Sequence, residues 1–254
     1  VYRMVLTAAM MVGPLVGNEL IRTYGFATFF LTMSGMSLFA FVLVLTLSNP
    51  PARHRVPGPA ARIRPREVVS LLGAPALRAP YLGILVISIG GGIILTYLTL
   101  YAESFVARPT LYFTVFALVG AAGALALGAL SDRFGRRVVV LPGVSILAVG
   151  VAVLWRLADS PLVVLYASAA LAGFGYNGGL SLFVSWVVDA AEYRLRATAL
   201  ALQESGIDTG FGVGIFFFGL LSERFPFSVL FLGLGVFLAL GAGMILAAAR
   251  TGSQ

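Results

Sequence analysis

Glu204 and Asp208 stand four residues apart in a largely apolar, glycine-bearing stretch, Ala201-Leu202-Gln203-Glu204-Ser205-Gly206-Ile207-Asp208-Thr209-Gly210. On a helix that spacing puts both carboxylates on one face. A charge at bilayer depth costs between ~3 and ~10 kcal/mol, so each acid there needs a counter-charge, a proton or water. Two carboxylates one turn apart titrate as a coupled pair, and such a pair can load and release a proton as a cavity opens to alternate sides. The plainer reading keeps Glu204 close enough to the interface to snorkel and gives Asp208 a backbone or tyrosine partner. Gly206, Gly210 and Gly214 recur on the other side of the same helix, a stripe suited to close helix packing.

Two further stretches carry polar groups inside apolar segments. Asn177, Ser181 and Ser185 recur every four residues beside Gly173-Phe174-Gly175-Tyr176-Asn177-Gly178-Gly179. Gly90-Gly91-Gly92 is followed by Thr96, Tyr97, Thr99 and Tyr101. Asn177, Ser181, Thr96 and Tyr97 are candidates to line a substrate cavity. Three successive glycines weaken a helix and permit a bend, which suits a gate near a midplane site. Close packing, with the hydroxyls bonded to their own backbone, is the equally weighted alternative for both stretches. Gly120, Ala124 and Gly128 form another small-residue stripe, read as packing alone.

The elements that must hold these residues follow from composition. Of 254 residues, 59% are apolar and 11% charged, a membrane protein's balance. About 20 apolar residues cross a bilayer, and apolar segments fall at roughly 4–20, 26–47, 81–101, 111–131, 138–155, 161–187, 198–221 and 226–249. Runs such as Phe39-Ala40-Phe41-Val42-Leu43-Val44-Leu45 do not alternate as barrel strands do, so eight transmembrane helices are expected.

Charge orients them. All but four of the 17 arginines lie at one set of connections and at the chain ends: Arg3, Arg53, Arg55, Arg62, Arg64, Arg66, Arg78, Arg133, Arg136, Arg137, Arg194, Arg196 and Arg250. Arg22, Arg108, Arg156 and Arg224 occupy the alternate set. The positive-inside rule then puts both ends and the long loop in the cytoplasm of an inner or plasma membrane. The net charge of +7 is therefore read as topology, and no nucleic acid is expected. With zero cysteines and one histidine, His54 in the long loop, no metal, cofactor or hydrolytic site is expected, and no enzyme.

That loop, 48–80, holds Pro50, Pro51, Pro57, Pro59, Pro65, Pro75 and Pro80 and is expected to contain no continuous helix. Its stretch Glu67-Val68-Val69-Ser70-Leu71-Leu72 is read either as a short helix in the headgroup region, where arginines favour anionic lipid, or as part of a solvated tether. Two spans (1–47) precede this linker and a six-helix unit (81–254) follows it. Val1 opens near an apolar run without an initiator Met, so the chain reads as a fragment.

Between the fourth and fifth spans stands Gly128-Ala129-Leu130-Ser131-Asp132-Arg133-Phe134-Gly135-Arg136-Arg137. It resembles the Gly-x-Leu-x-Asp-Arg-x-Gly-Arg-Arg/Lys signature of the Major Facilitator Superfamily, whose members carry it between helices 2 and 3 and again between helices 8 and 9. Only the second copy has four helices after it, as here. The resemblance therefore implies helices 5 to 12: an all-α integral membrane protein comprising the C-terminal six-helix bundle and the last two helices of the N-terminal bundle. Gly13-Pro14-Leu15-Val16-Gly17 is similar to the end of the helix 5 motif of exporters, with Gly13, Pro14 and Gly17 as packing or hinge positions, although Thr7, Ala8 and Ala9 stand where that motif has further glycines. Asp208-Thr209-Gly210-Phe211-Gly212-Val213-Gly214 resembles a helix 11 run of some bacterial export permeases.

What the resemblance implies is a secondary active transporter moving a small organic solute by alternating access, expected to be a proton-coupled exporter, an antiporter, and a monomer when complete. Its partners would be the solute, the proton and membrane lipid. The alternative is a sensor or regulatory protein that keeps the fold without transport. The loop signature (Gly128, Asp132, Arg133, Gly135, Arg136, Arg137) would act as a conformational lock, and pseudo-symmetry places Asp132 near the backbone of Val1 to Val5 or near Arg3.

Overall fold

The computed structural model describes residues 2–46 and 65–251, and among them every regular element is helical. Val1, the side chains of residues 2–11 with Arg3 among them, those of Pro14 and Leu15, and the linker residues 47–64 with His54 and four of their arginines lie outside what it describes, and with them the side-chain contacts proposed for Asp132. The helices are α1 (Tyr2–Thr46), α2 (Pro65–Gly73), α3 (Pro75–Ala102), α4 (Leu111–Phe134), α5 (Arg136–Ala152), α6 (Pro161–Ala190), α7 (Arg196–Ser222) and α8 (Phe227–Thr251). A 3-10 turn, Val153–Arg156, extends α5, and another, Tyr193–Leu195, leads into α7.

The first two expected spans are the two arms of α1. At Gly25 the backbone adopts φ 81°, ψ 172°, a region that only glycine enters cheaply. A Cβ placed on Gly17 would lie 3.2 Å from the Phe29 ring. In a straight helix those positions are roughly 18 Å apart, so the arms fold back toward each other and Gly25 makes a hairpin. Each of the other six spans coincides with one of α3 to α8.

The linker departs from its sequence reading at its end. α3 begins at Pro75, ahead of the apolar segment expected from 81, and Pro80 lies inside it. Proline at the first helical position gives up an N–H that would have no partner there anyway. Pro80 removes one internal bond, but Leu77, Ala79 and Pro80 are all buried, and this packing holds the turn in helical form. The stretch around Glu67 is also helical, as α2.

α6 is the hub. It packs against α4, α5 and α3, while α8 lies on α5 and α3, and α7 lies chiefly on α3. Backbones approach closely where glycines meet: a Cβ on Gly173 would fall 2.2 Å from the Phe116 carbonyl oxygen, and one on Gly123 would fall 2.3 Å from that of Phe174. Around this seam Leu147, Leu182, Phe183 and Ile87 are fully buried. The outward faces are no less apolar, with Leu125, Val163, Phe216 and Leu240 widely exposed. Such a girdle is stable only against acyl chains, and seven described segments are long and apolar enough to cross a membrane, the Val16–Thr46 part of α1 among them.

Candidate functional site

α7 has two faces of opposite character. Ala199, Gln203, Gly210, Gly214 and Phe218 are buried. A Cβ on Gly210 would meet the Ser88 Cβ at 2.7 Å, and one on Gly214 would meet the Ile89 carbonyl oxygen at 2.8 Å. The glycine stripe therefore seats α7 on α3. Hydroxyls from α3 secure both ends: Tyr81 donates to the Ala199 carbonyl at 3.2 Å and Tyr97 to that of Ile215 at 3.0 Å.

Glu204 and Asp208 lie on the other face, and both are exposed on this chain. Two hydroxyls omitted from the sequence reading accompany them. Ser205 donates to the Ala201 carbonyl at 3.1 Å and Thr209 to that of Ser205 at 2.7 Å, each within the helix. Their i, i+4 spacing alongside the acids is a signal the sequence already carried. The result is a polar strip of two carboxylates and two hydroxyls on a membrane-length helix, able to meet water, a proton or a polar solute.

Sequence reading also passed over Gln203. Its side chain is fully buried on the α3 side, and neither its amide nitrogen nor its oxygen has a hydrogen-bond partner. Nothing but tertiary packing distinguishes it from a snorkelling glutamine.

The remaining cavity candidates do not gather around the acids. Asn177 donates to the Gly173 carbonyl at 3.2 Å and sits against Gly120, and Ser181 faces Gly128, so both line the seam between α6 and α4. Tyr97 packs at a tilt in an aromatic group, 4.9 Å from Phe218 and 6.2 Å from Phe227 between ring centroids. Thr96 is exposed. Gly90, Gly91 and Gly92 stay helical and receive three different helices, through Leu238 of α8, Tyr176 of α6 and Phe211 of α7. Gly17 packs on Phe29, whereas Gly13 has nothing within 4 Å of a placed Cβ. A cavity of about 530 Å³ opens between α3, α7 and α8, lined by Val213, Phe217, Phe218, Phe237 and other apolar residues. It lies on the α3 side of α7, away from Glu204 and Asp208.

The loop signature is built around Gly135 and Arg136. Gly135 takes φ 88° and donates its N–H to the Ser131 carbonyl at 3.0 Å, closing α4 and letting α5 start at the next residue. Arg136 then reaches Asp132 at 2.9 Å and the Asp189 carboxylate at 3.0 Å, and also donates to the Ser131 hydroxyl. Arg133 lies over the Phe134 ring. Asp189, at the end of α6, is thus the partner that sequence reading did not name.

The two carboxylates are mostly exposed, at 70% and 58%, against 20% for Arg136. Solvent therefore screens the pairs, and Arg136→Ala is expected to lower stability by only about 1–2 kcal/mol. A double-mutant cycle with Asp189→Ala checks the link: coupling of about 1 kcal/mol is expected, and none if the two side chains are independent. Lysine at 136 should restore little, because one ammonium cannot span both acids as the guanidinium fork does.

Helix pairs seated on glycines and an apolar girdle define a multi-pass helical membrane protein. Residues 108–252 match the family model described as Major Facilitator Superfamily. The chain belongs to that superfamily, a family of membrane transporters. Among solved structures it is similar to a bacterial homolog of the human lysosomal transporter Spinster, crystallised inward-facing and unoccupied, with a TM-score of 0.73 over 96% of this chain and 68% of that one. At 19% identity the likeness concerns the fold alone.

Proposed function

We propose that this chain forms the C-terminal bundle (81–254), the linker (48–80) and the last two N-terminal helices (1–47) of a proton-coupled exporter, an antiporter of a small organic solute in the inner or plasma membrane. Both ends of the chain face the cytoplasm in this reading. Transport proceeds by alternating access, the two bundles rocking around a central site. Asp208 is the protonation site, Glu204 its coupled neighbour, and Asn177, Ser181, Thr96 and Tyr97 are candidates for solute contact. The loop signature, with Arg136 between Asp132 and Asp189, steadies the arginine-rich end.

The observation that carries this reading is the orientation of α7. Gly210 and Gly214 are packed on α3, so the acids lie on the opposite face of α7, and this supports a reading in which that face borders the passage. Ser205 and Thr209 extend that strip along the helix.

The test is transport by the protein reconstituted in sealed vesicles and offered a panel of small organic solutes. An imposed pH gradient is expected to drive uphill solute movement that an uncoupler abolishes. Binding without accumulation at any gradient would instead identify a sensor.

A further inference from the structure

The nine-residue helix α2 is too short to cross a membrane, at roughly 14 Å, yet it is firmly placed. Leu71 is buried with Leu77, Val187, Ala191, Leu195 and Ala199, at the ends of α3, α6 and α7. Glu67 pairs with Arg194 at the elbow between α6 and α7. Arg78 donates to the Gly73 carbonyl at 3.1 Å, closing the helix at its C-terminus. These contacts set α2 where the apolar spans emerge on the arginine-rich side, which is headgroup depth.

The same contacts determine what α2 turns outward. Glu67 and Leu71, four apart, face the bundle. Arg66, Val69 and Leu72, three apart, form the opposite stripe. Val69 is 67% exposed and Leu72 56%, and Arg66 is exposed as well. Apolar side chains beside a cation at the rim of a membrane domain match an interfacial helix, with the apolar atoms among the first acyl carbons and the guanidinium among phosphates. Charge specifies the lipid further. The one acid of α2 is taken by Arg194, and residues 48–64 before it add Arg53, Arg55, Arg62 and Arg64 without any Asp or Glu.

We infer that the Arg66–Val69–Leu72 stripe of α2 docks on the anionic headgroup layer of the membrane that holds the bundle, making α2 a lipid-charge-dependent anchor. This goes beyond the transport reading and does not need the chain to transport anything.

The chain contains no cysteine, so a single spin label reports cleanly. The full chain carrying Val69→Cys or Leu72→Cys is labelled and reconstituted in vesicles of phosphatidylcholine with or without phosphatidylglycerol, and collisions with oxygen are compared with those of a water-soluble nickel chelate. In phosphatidylglycerol vesicles both labels should favour oxygen, as lipid-immersed sites do. In phosphatidylcholine alone, or in high salt, they should turn water-accessible. Adding Arg66→Glu should shift the immersed-to-free ratio by about fivefold or more in anionic vesicles. Equal immersion in both lipids would overturn the proposal, because charge would then play no part. So would labels wet in both lipids, the behaviour of a solvated tether, or labels shielded from both reagents, which would mean a protein covers the stripe.

Discussion

Gly173→Ala is expected to lower the stability of the detergent-solubilised chain by about 3 kcal/mol, at the upper end for overpacked cores. The added methyl would lie 2.2 Å from the Phe116 carbonyl oxygen and 2.8 Å from its carbonyl and α carbons. All three are backbone atoms of α4, so no rotamer change relieves the clash. Nor can α4 simply step back, since Gly120 and Gly123 hold its backbone against α6 over the neighbouring turns. The control is Gly243→Ala in α8, where a Cβ meets nothing within 4 Å and alanine should cost nothing. Thermal loss of helicity by circular dichroism measures both. Equal midpoints for the two variants would show that α4 and α6 do not pack as described.

The second large effect concerns transport. In the proposed exporter, a gradient of one pH unit coupled to one proton sustains about tenfold accumulation of solute, since one unit is worth about 1.4 kcal/mol. Asp208→Asn keeps the side chain's shape and removes the proton site, so it should reduce gradient-driven accumulation to none while exchange of solute for solute continues. Because Asp208 is exposed on this chain, the variant should fold normally, and unchanged helicity and melting check that separately. Glu204→Gln should weaken coupling less, and Asp159→Asn, in a loop where the acid pairs with Arg156 at 2.9 Å, should leave it intact. Gradient-driven accumulation that survives Asp208→Asn would remove this residue from the mechanism.

The division between legible and illegible features runs along particular residues. The apolar helices and the turn signature between α4 and α5 could be read directly, because a lipid-spanning helix must satisfy its own backbone bonds and stay apolar for about 20 residues. Those are local properties, as is the sorting of arginines between the two ends of the spans. The close packing of Gly210 and Gly214 was likewise readable, since small residues four apart align on one face, whereas Gly206 makes only an ordinary contact with Ile84.

Position within the bundle was another matter. Nothing local told Gln203, sealed against α3, from Glu204 beside it, or marked Asp189 as the carboxylate that Arg136 would reach from 53 residues away. Spacing alone did not show that Tyr97 gives its hydroxyl to Ile215 and packs its ring on Phe218. Pro75 and Pro80 read as helix breakers and stand inside α3. The physical reason is common to all of these. In water a helix announces its buried side by the contrast between apolar and polar faces. In lipid both sides are apolar, so burial is decided by fit between helices, by glycine meeting backbone and tyrosine meeting carbonyl, and those partners are chosen only when the chain is folded.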